Sequence, residues 1–450
     1  MNIDPTIFKA YDIRGIYPTQ INEELAYKIG QAYEKFIEPK GEVAVGHDVR
    51  VQSENLKKKV VGGLIDSGVS VVDIGLISTD MYYYAVGNYK FAGGIQSSAS
   101  HNPPEYHGFK MIRENVIPLT LENGISQIRD IISSDAFNPP STKGNFRSLN
   151  IEDDYIAYIL SWLNAKSQKK FKIVINPNFG YAGVIFRKIV EKGSLPVEII
   201  GLNDIPDGTF PKGRPDPFIP ENRGEFIELV KESRADLGIA WDADADRVFF
   251  CAEDGTFLEP YYLNTVLIKQ MLKKFPGEKI VYDPRYTWAL IEAIKENGGT
   301  PVISRVGHSY IKEKLREVNA IYGTESSGHS YFRDFWYADN GMIPVMQVLE
   351  YLMENEVKLS DAVRPVMNKY FISGEINSDV KDKEGKMKEI SKKYSDGQQS
   401  TLDGIAVEYS DFRFCVRPSN TEPLLRLTLE AKSEKLMEEK RDEVLNLIRL

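Results

Sequence analysis

The chain has 450 residues, of which 42% are hydrophobic, 27% charged and 11% aromatic, and its formal net charge is 56 − 65 = −9. At roughly 100–200 residues per domain this is room for about two to four well-cored domains, which excludes disordered and fibrous classes. The acidic balance argues against a general nucleic-acid binder, no apolar run approaches the ~18 residues of a membrane helix, and two cysteines, Cys251 and Cys415, provide no disulfide framework.

Along the chain, the opening MNIDPTIFKAYDIRG carries charges where a secretory leader needs an apolar run, so a cytoplasmic location is expected. EVAVGHDVR reads as a strand, Ser53 to Asp66 as a helix and GVSVVDIG as a second strand. A polar connection, STKGNFRSLN (141–150), precedes a helical stretch from about Ile151. The same strand–helix–strand pattern returns in KIVINPNFG, a helix to about Lys192 and SLPVEIIG. It returns again in KIVYDPRYT, a helix to about Glu296 and GGTPVISRVG. KIV recurs at 172–174 and 279–281 with Pro177 and Pro284 at the same offset, so the three units are read as repeats. Residues 203–222 are rich in Pro, Gly and Asp and read as a long ordered loop. After about Val366 the pattern changes to alternating strands with charged helices near 380–395 and 433–448, a small α+β domain with an antiparallel sheet. The expected domains are 1–148, 149–253, 254–366 and 367–450.

Four segments carry chemistry. In WDADADR the carboxylates of Asp242, Asp244 and Asp246 sit at i, i+2 and i+4 after the apolar DLGIA, so their oxygens can converge on a hard cation such as Mg²⁺ or Ca²⁺. An EF-hand is disfavoured: Glu253 fits loop position 12, but Arg247 stands at the position that needs glycine, and the flanks are strand-like where helices are required. SSASHNPPEYHGFK describes a tight exposed loop whose serine is a candidate nucleophile or phosphate carrier. RPSNTEP, with Arg426 just beyond, combines an arginine fork with small polar donors suited to an anion, phosphate above all. GTESSGH offers Glu325, Ser327 and His329 as donors and acceptors for sugar hydroxyls. Lys9 and Arg14 lie near a predicted strand, and His308 stands in VGHSYIK.

Taken together and in order, FKAYDIRG, ASHNPPEYHGFK, PDGTFPKGRPDPFIPEN, DADADR, GTESSGH with YFRDFWYADNGMIP, and RPSNTEP resemble the α-D-phosphohexomutase superfamily, closest to its bacterial phosphomannomutase/phosphoglucomutase branch. The resemblance covers nearly the whole chain. It implies three similar mixed α/β/α sandwich domains plus a C-terminal α+β domain around a central cleft. It implies Ser100 as the phosphoserine, with Ser98 at a position where the family usually has Thr. Asp242, Asp244 and Asp246 then match magnesium ligands, completed by a phosphoryl oxygen on Ser100, although Ala243 and Ala245 replace two customary glycines and suggest a stiffer loop. Glu325, Ser327 and His329 match the sugar loop, and Arg417, Ser419, Asn420 and Thr421 the phosphate clamp. Lys9, Tyr11, Arg14, Lys110, Arg247, Arg285 and His308 match further cleft residues.

The implied reaction interconverts hexose 1-phosphates and hexose 6-phosphates of mannose and glucose through a 1,6-bisphosphate, which also serves as activator. Phosphoryl transfer needs charge neutralisation and in-line positioning more than covalent help. Arg14 and Lys110 are candidates to stabilise the developing charge, and Lys110 or His308 to take and return the sugar hydroxyl proton. The expected partners are small hexose phosphates, with no nucleic acid and no membrane, and the expected state is a monomer. The alternatives are a phosphoglucosamine mutase, a magnesium-dependent sugar-phosphate phosphatase and a catalytically silent sensor.

Overall fold

The computed structural model describes residues 3–137, 140–419 and 424–450. The chain forms two compact units, Met1–Phe257 with His329–Glu356, and Leu258–Gly328 with Val357–Leu450. No helix among the described residues is long and apolar enough to cross a membrane.

The first unit begins with β1 (Ile13–Ile16), α1 (Glu23–Ile37), β2 (Val43–His47), α2 (Ser53–Asp66), β3 (Val71–Leu76), α3 (Thr79–Asn88), β4 (Gly93–Ser97), β5 (Tyr106–Arg113), α4 (Ser126–Ser134) and β6 (Phe146–Ser148). Its sheet runs β1–β5–β4–β2–β3–β6, with β4, β2, β3 and β6 parallel and β5 antiparallel to both neighbours. β2 and β3 are largely apolar runs because helices cover them. The polar segment 141–150 is more than a connection. Its β6 adds to β3 as an edge strand, where exposed side chains on a short strand cost nothing.

α1 starts at Asn22, whose side chain accepts from Leu25 N, and packs on α2 with almost no side chain between the backbones. A Cβ at Gly63 would lie 2.0 Å from the Tyr27 carbonyl oxygen, and one at Gly30 2.4 Å from that of Val60. Only glycine allows this approach.

The unit continues through α5 (Glu152–Leu160), β7 (Phe171–Asn176), α6 (Ala182–Lys192), β8 (Val197–Gly201), α7 (Gly224–Glu232), β9 (Leu237–Trp241), β10 (Val248–Ala252) and the two-residue β11 (Phe257–Leu258). β8, β7 and β9 are parallel and β10 returns antiparallel to β9. Residues 203–222 form the expected irregular loop, with one short turn at Pro220–Asn222.

In the second unit, α8 (Pro260–Lys274), β12 (Lys279–Tyr282), α9 (Trp288–Glu296), β13 (Thr300–Ile303), α10 (His308–Val318) and β14 (Tyr322–Thr324) repeat the pattern, with β12 parallel to β13 and to β14. The chain then contributes the hairpin β15 (Ser330–Phe332) and β16 (Ala338–Asp339), and α11 (Ile343–Asn355), to the first unit. It re-enters the second through α12 (Leu359–Met367). The remainder comprises β17 (Phe371–Ile372), β18 (Ile376–Asp379), α13 (Lys383–Lys393), β19 (Gln398–Ser400), β20 (Ile405–Glu408), β21 (Phe412–Pro418), β22 (Leu424–Ala431) and α14 (Glu434–Arg449). Its sheet is antiparallel throughout, in the order β17–β22–β21–β20–β19, with β18 also on β22. Its core gathers Ile390, Phe414, Leu427 and Val444 from the sheet and both helices.

Gly63→Ala tests the close helix contact. It is expected to destabilise the first unit by about 1–3 kcal/mol, read as a lowered midpoint in thermal or urea unfolding.

Candidate active site

β9 and β10 are buried along their whole length, and the turn between them carries the acidic triad. Asp242 and Asp244 are fully buried and Asp246 nearly so. One oxygen from each lies within 4.8 Å of the others. The loop closes on a hydrogen bond from Ala245 N to Asp242 O (3.1 Å), which puts Ala245 in the left-handed region at φ +59°. The backbone is also pressed from both sides. A Cβ at Gly180 would sit 2.2 Å from the Ala243 oxygen and one at Gly341 2.4 Å from that of Ala245.

Two cations balance the triad. Lys110 Nζ, from β5, donates to Asp244 Oδ2 (2.6 Å) and Asp246 Oδ2 (2.7 Å). Burial alone would push its ammonium down, but Asp244 and Asp246 outweigh this and hold it above the ordinary lysine range. Arg247 donates through Nε (3.0 Å) and an Nη (2.8 Å) to Asp242 Oδ2, and pairs with Asp216 at 3.1 Å. Burial, with Asp246 and Asp244 beside it, still pushes the Asp242 carboxyl well up despite Arg247. Asp244 Oδ1 and Asp246 Oδ1 are buried with no hydrogen-bond partner among the described residues. Orphaned carboxylate oxygens facing a convergent oxygen set fit a divalent cation.

Ser100 lies beside this loop. It is 4% exposed, its φ is +48°, and its Oγ stands 3.4 Å from Asp242 Oδ2. A non-glycine residue pays for that backbone conformation, so something must hold it there. Arg50 does so. Its buried guanidinium donates to the carbonyls of Ser100 (2.7 Å), Asn102 (2.6 Å), Pro103 (2.9 Å) and Tyr106 (2.9 Å) and lies over the Phe210 ring. Arg14 adds a bond to Asn102 Oδ1 (2.7 Å) while Asp12 accepts from its Nε (2.6 Å). His101, next to the serine, is engaged elsewhere, at 3.0 Å from Asp216 and against Arg247. Burial and Arg247 push its imidazole down to about 4.

In the second unit, Arg285 follows β12. Asp283 holds it through the backbone N (2.8 Å), Nε (3.1 Å) and an Nη (2.9 Å), and Glu325 takes a further Nη bond at 3.1 Å. Asp283 also accepts from Ser326 N (2.7 Å), so one carboxylate orients both the arginine and the Glu325–Ser327 loop. Ser327 Oγ is buried with no hydrogen-bond partner among the described residues. Buried Arg413 donates to the carbonyls of Pro284 (2.6 Å) and Arg285 (3.1 Å). Fully buried Glu430 accepts from Tyr261 Oη (2.5 Å) and Thr287 N (2.7 Å).

Sequence models of four domains described as phosphoglucomutase/phosphomannomutase match this chain: alpha/beta/alpha domain I at residues 5–139, domain II at 153–255, domain III at 259–370 and the C-terminal domain at 375–447. The chain belongs to the α-D-phosphohexomutase superfamily. It is 39% identical to a phosphomannomutase of Escherichia coli over 99% of both chains. It is 41% identical to a protein of Xanthomonas campestris named for phosphohexose mutases, over 98% of this chain and 99% of the relative. A crystal structure of a phosphoglucomutase/phosphomannomutase family protein from Burkholderia thailandensis superposes with a TM-score of 0.88 at 30% identity, covering 99% of this chain and 97% of that one.

Of the residues singled out in this phosphohexomutase, the first unit brings together Ser100, Arg14, Lys110, Asp242, Asp244, Asp246 and Arg247. It also holds His329, whose backbone bridges to Arg247 and whose Nδ1 is 3.1 Å from Asp339. Exposed Lys9 and half-buried Tyr11 precede β1. The second unit holds Arg285, Glu325, Ser327, Arg417, Ser419, and His308 as the first residue of α10. GTESSGH is therefore divided, with Glu325 and Ser327 in one unit and His329 in the other. Asn420 and Thr421 lie outside the described residues. Sequence reading overlooked Arg50, Thr79, Asp216 and Asp283. Thr79 N donates to Asp244 O (2.8 Å) and its Oγ1 is 2.6 Å from Asp244 Oδ2. The available signals were DVR after β2 and the Asp of YDPRY after β12, charged residues at the ends of parallel strands.

Arg50→Met is expected to lower kcat by about 100-fold with little change in sugar-phosphate KM, because it misplaces the serine loop and not the ligand. Ala245→Gly is expected to stabilise the first unit by about 0.5–1 kcal/mol in chemical unfolding, by relieving the left-handed alanine.

Proposed function

We propose that this phosphohexomutase interconverts the 1- and 6-phosphates of mannose and glucose through phosphorylated Ser100. The carrying observation is the Ser100 hydroxyl, held 3.4 Å from a buried triad with two orphaned carboxylate oxygens. Asp242, Asp244 and Asp246 would hold Mg²⁺, with a phosphoryl oxygen on Ser100 as a further ligand. A bound Mg²⁺ would neutralise charge on the phosphoryl group and orient it.

The free hydroxyl of a hexose 1-phosphate attacks the phosphorus on Ser100, the P–Oγ bond breaks, and a hexose 1,6-bisphosphate results. Of the two candidates for the hydroxyl proton, Lys110 is already held as an ammonium by Asp244 and Asp246, which leaves His308 to take it. The second transfer runs in reverse from the other phosphate and restores phosphorylated Ser100, so a trace of the bisphosphate serves as activator. Arg14, 2.7 Å from Asn102 Oδ1 in the serine loop, and Lys110, on Asp244 and Asp246, meet the charge that develops on the transferring group. Glu325 and the free Ser327 Oγ receive two sugar hydroxyls, with His329 as a further sugar contact. Arg417, Ser419, Asn420 and Thr421 grip the phosphate that is not reacting, with Arg285, Arg247, Lys9 and Tyr11 contributing to substrate binding. The reaction closes within a monomer.

Purified protein, Mg²⁺ and glucose 1,6-bisphosphate, given mannose 1-phosphate or glucose 1-phosphate separately, is expected to form both 6-phosphates without free phosphate. Ser100→Ala is expected to lose turnover by at least about 1,000-fold while still binding either sugar phosphate in calorimetry. Full activity in that variant would overturn the serine carrier. Stoichiometric phosphate release would make the enzyme a phosphatase, and turnover of glucosamine 6-phosphate alone a phosphoglucosamine mutase.

A further inference from the structure

The anion-binding side of the second unit already contains an anion. Arg417 and Arg426 stand directly opposite one another across β21 and β22, where two like charges repel. Glu375, in the link between β17 and β18, joins them. Its Oε2 is 3.2 Å from Arg417 and 3.6 Å from Arg285, and its Oε1 is 3.3 Å from Arg426. Burial works against its charge, but Arg285, Arg417 and Arg426 hold the carboxyl below the usual range.

The neighbouring carboxylates differ from it. Asp283 is tied to the backbone N–H groups of Arg285 and Ser326. Glu325 is bound to Arg285 at the head of the sugar loop. Asp403, 3.5 Å from Arg417 Nη1, accepts from Val306 N at 2.9 Å. Among the described residues, the hydrogen-bond and ion-pair partners of the Glu375 side chain are arginines alone. Its carboxylate can withdraw without releasing a backbone group.

Resting on the reading of Arg417 as a phosphate ligand, we propose that Glu375 is an internal competitor for the substrate's phosphate. Its carboxylate occupies the Arg417 Nη2 that a phosphate needs for two-point binding, and gives way when the phosphate arrives. The competition weakens the grip on purpose. A 1,6-bisphosphate must release one phosphate and present the other, and a clamp that binds ground state and transition state equally tightly gains nothing in kcat. Glu375 acts through Arg417, Arg426 and Arg285, and is thus a positioning residue.

The test is calorimetric binding of mannose 1-phosphate and of inorganic phosphate to the full chain, alongside steady-state kinetics. Glu375→Gln is expected to tighten mannose 1-phosphate by about tenfold, equivalent to about 1.4 kcal/mol, and to lower KM and kcat together. Glu375→Asp, which keeps the charge, is expected to stay near wild-type affinity, and Glu375→Ser, as a second neutral variant, to behave like Glu375→Gln. Unchanged or weaker binding in both neutral variants, while Arg417→Ala abolishes binding, overturns the competitor and leaves the clamp standing. Unchanged binding in Arg417→Ala removes the clamp reading itself, and the proposal with it.

Discussion

Three carboxylates buried in one short turn are the constraint on which the first unit depends. Asp242, Asp244 and Asp246 cannot share a water-poor loop as anions without compensation close by, since burial and mutual repulsion both favour the neutral form. The compensation comes from separate places in the chain. Lys110 reaches in from β5, Arg247 folds back from the turn itself, and Thr79 at the start of α3 grips Asp244 through both backbone and side chain. Removing one partner of such a buried set typically costs about 3–5 kcal/mol, because a charge is left unpaired. The electrostatic balance that prepares the site therefore also joins the serine-bearing sheet to the triad-bearing one.

Buried arginine serves a second purpose as a clamp on backbone. Arg50 draws four carbonyls of the 100–106 loop towards one guanidinium, and Arg413 draws in the carbonyls of Pro284 and Arg285. In both places a loop bearing a candidate site residue is held by a buried arginine. A planar fork of five donors suits this task, where lysine could satisfy fewer acceptors at fixed angles. The left-handed Ser100 is tolerable because its carbonyl is caught in this way.

Much of this was legible beforehand. Helices at Ser53–Asp66, to Lys192 and to Glu296, and the antiparallel C-terminal sheet, follow from periodicity and breakers because each element buries one face. The triad was visible because its residues are neighbours in sequence. Arg50, Asp216 and Asp283 were not, since a charged residue just after a strand (Arg50, Asp283) or inside a long loop (Asp216) at most marks a position, and shows neither its burial nor its partners. The edge strand at Phe146–Ser148 was read as a polar connection, because an exposed strand pairs through its backbone and needs no apolar pattern.

The amino-acid order by itself determined the element types, the repeated α/β units and the loops that carry serine, carboxylates and arginines, because those depend on residues close together in the chain. Tertiary structure alone decided which charges meet. Lys110 is 134 residues from Asp244, and Glu375 is 90 and 42 residues from Arg285 and Arg417 (375 − 285 and 417 − 375). Such pairings are selected by the cost of burying an ion alone, which exists only once the sheets have packed.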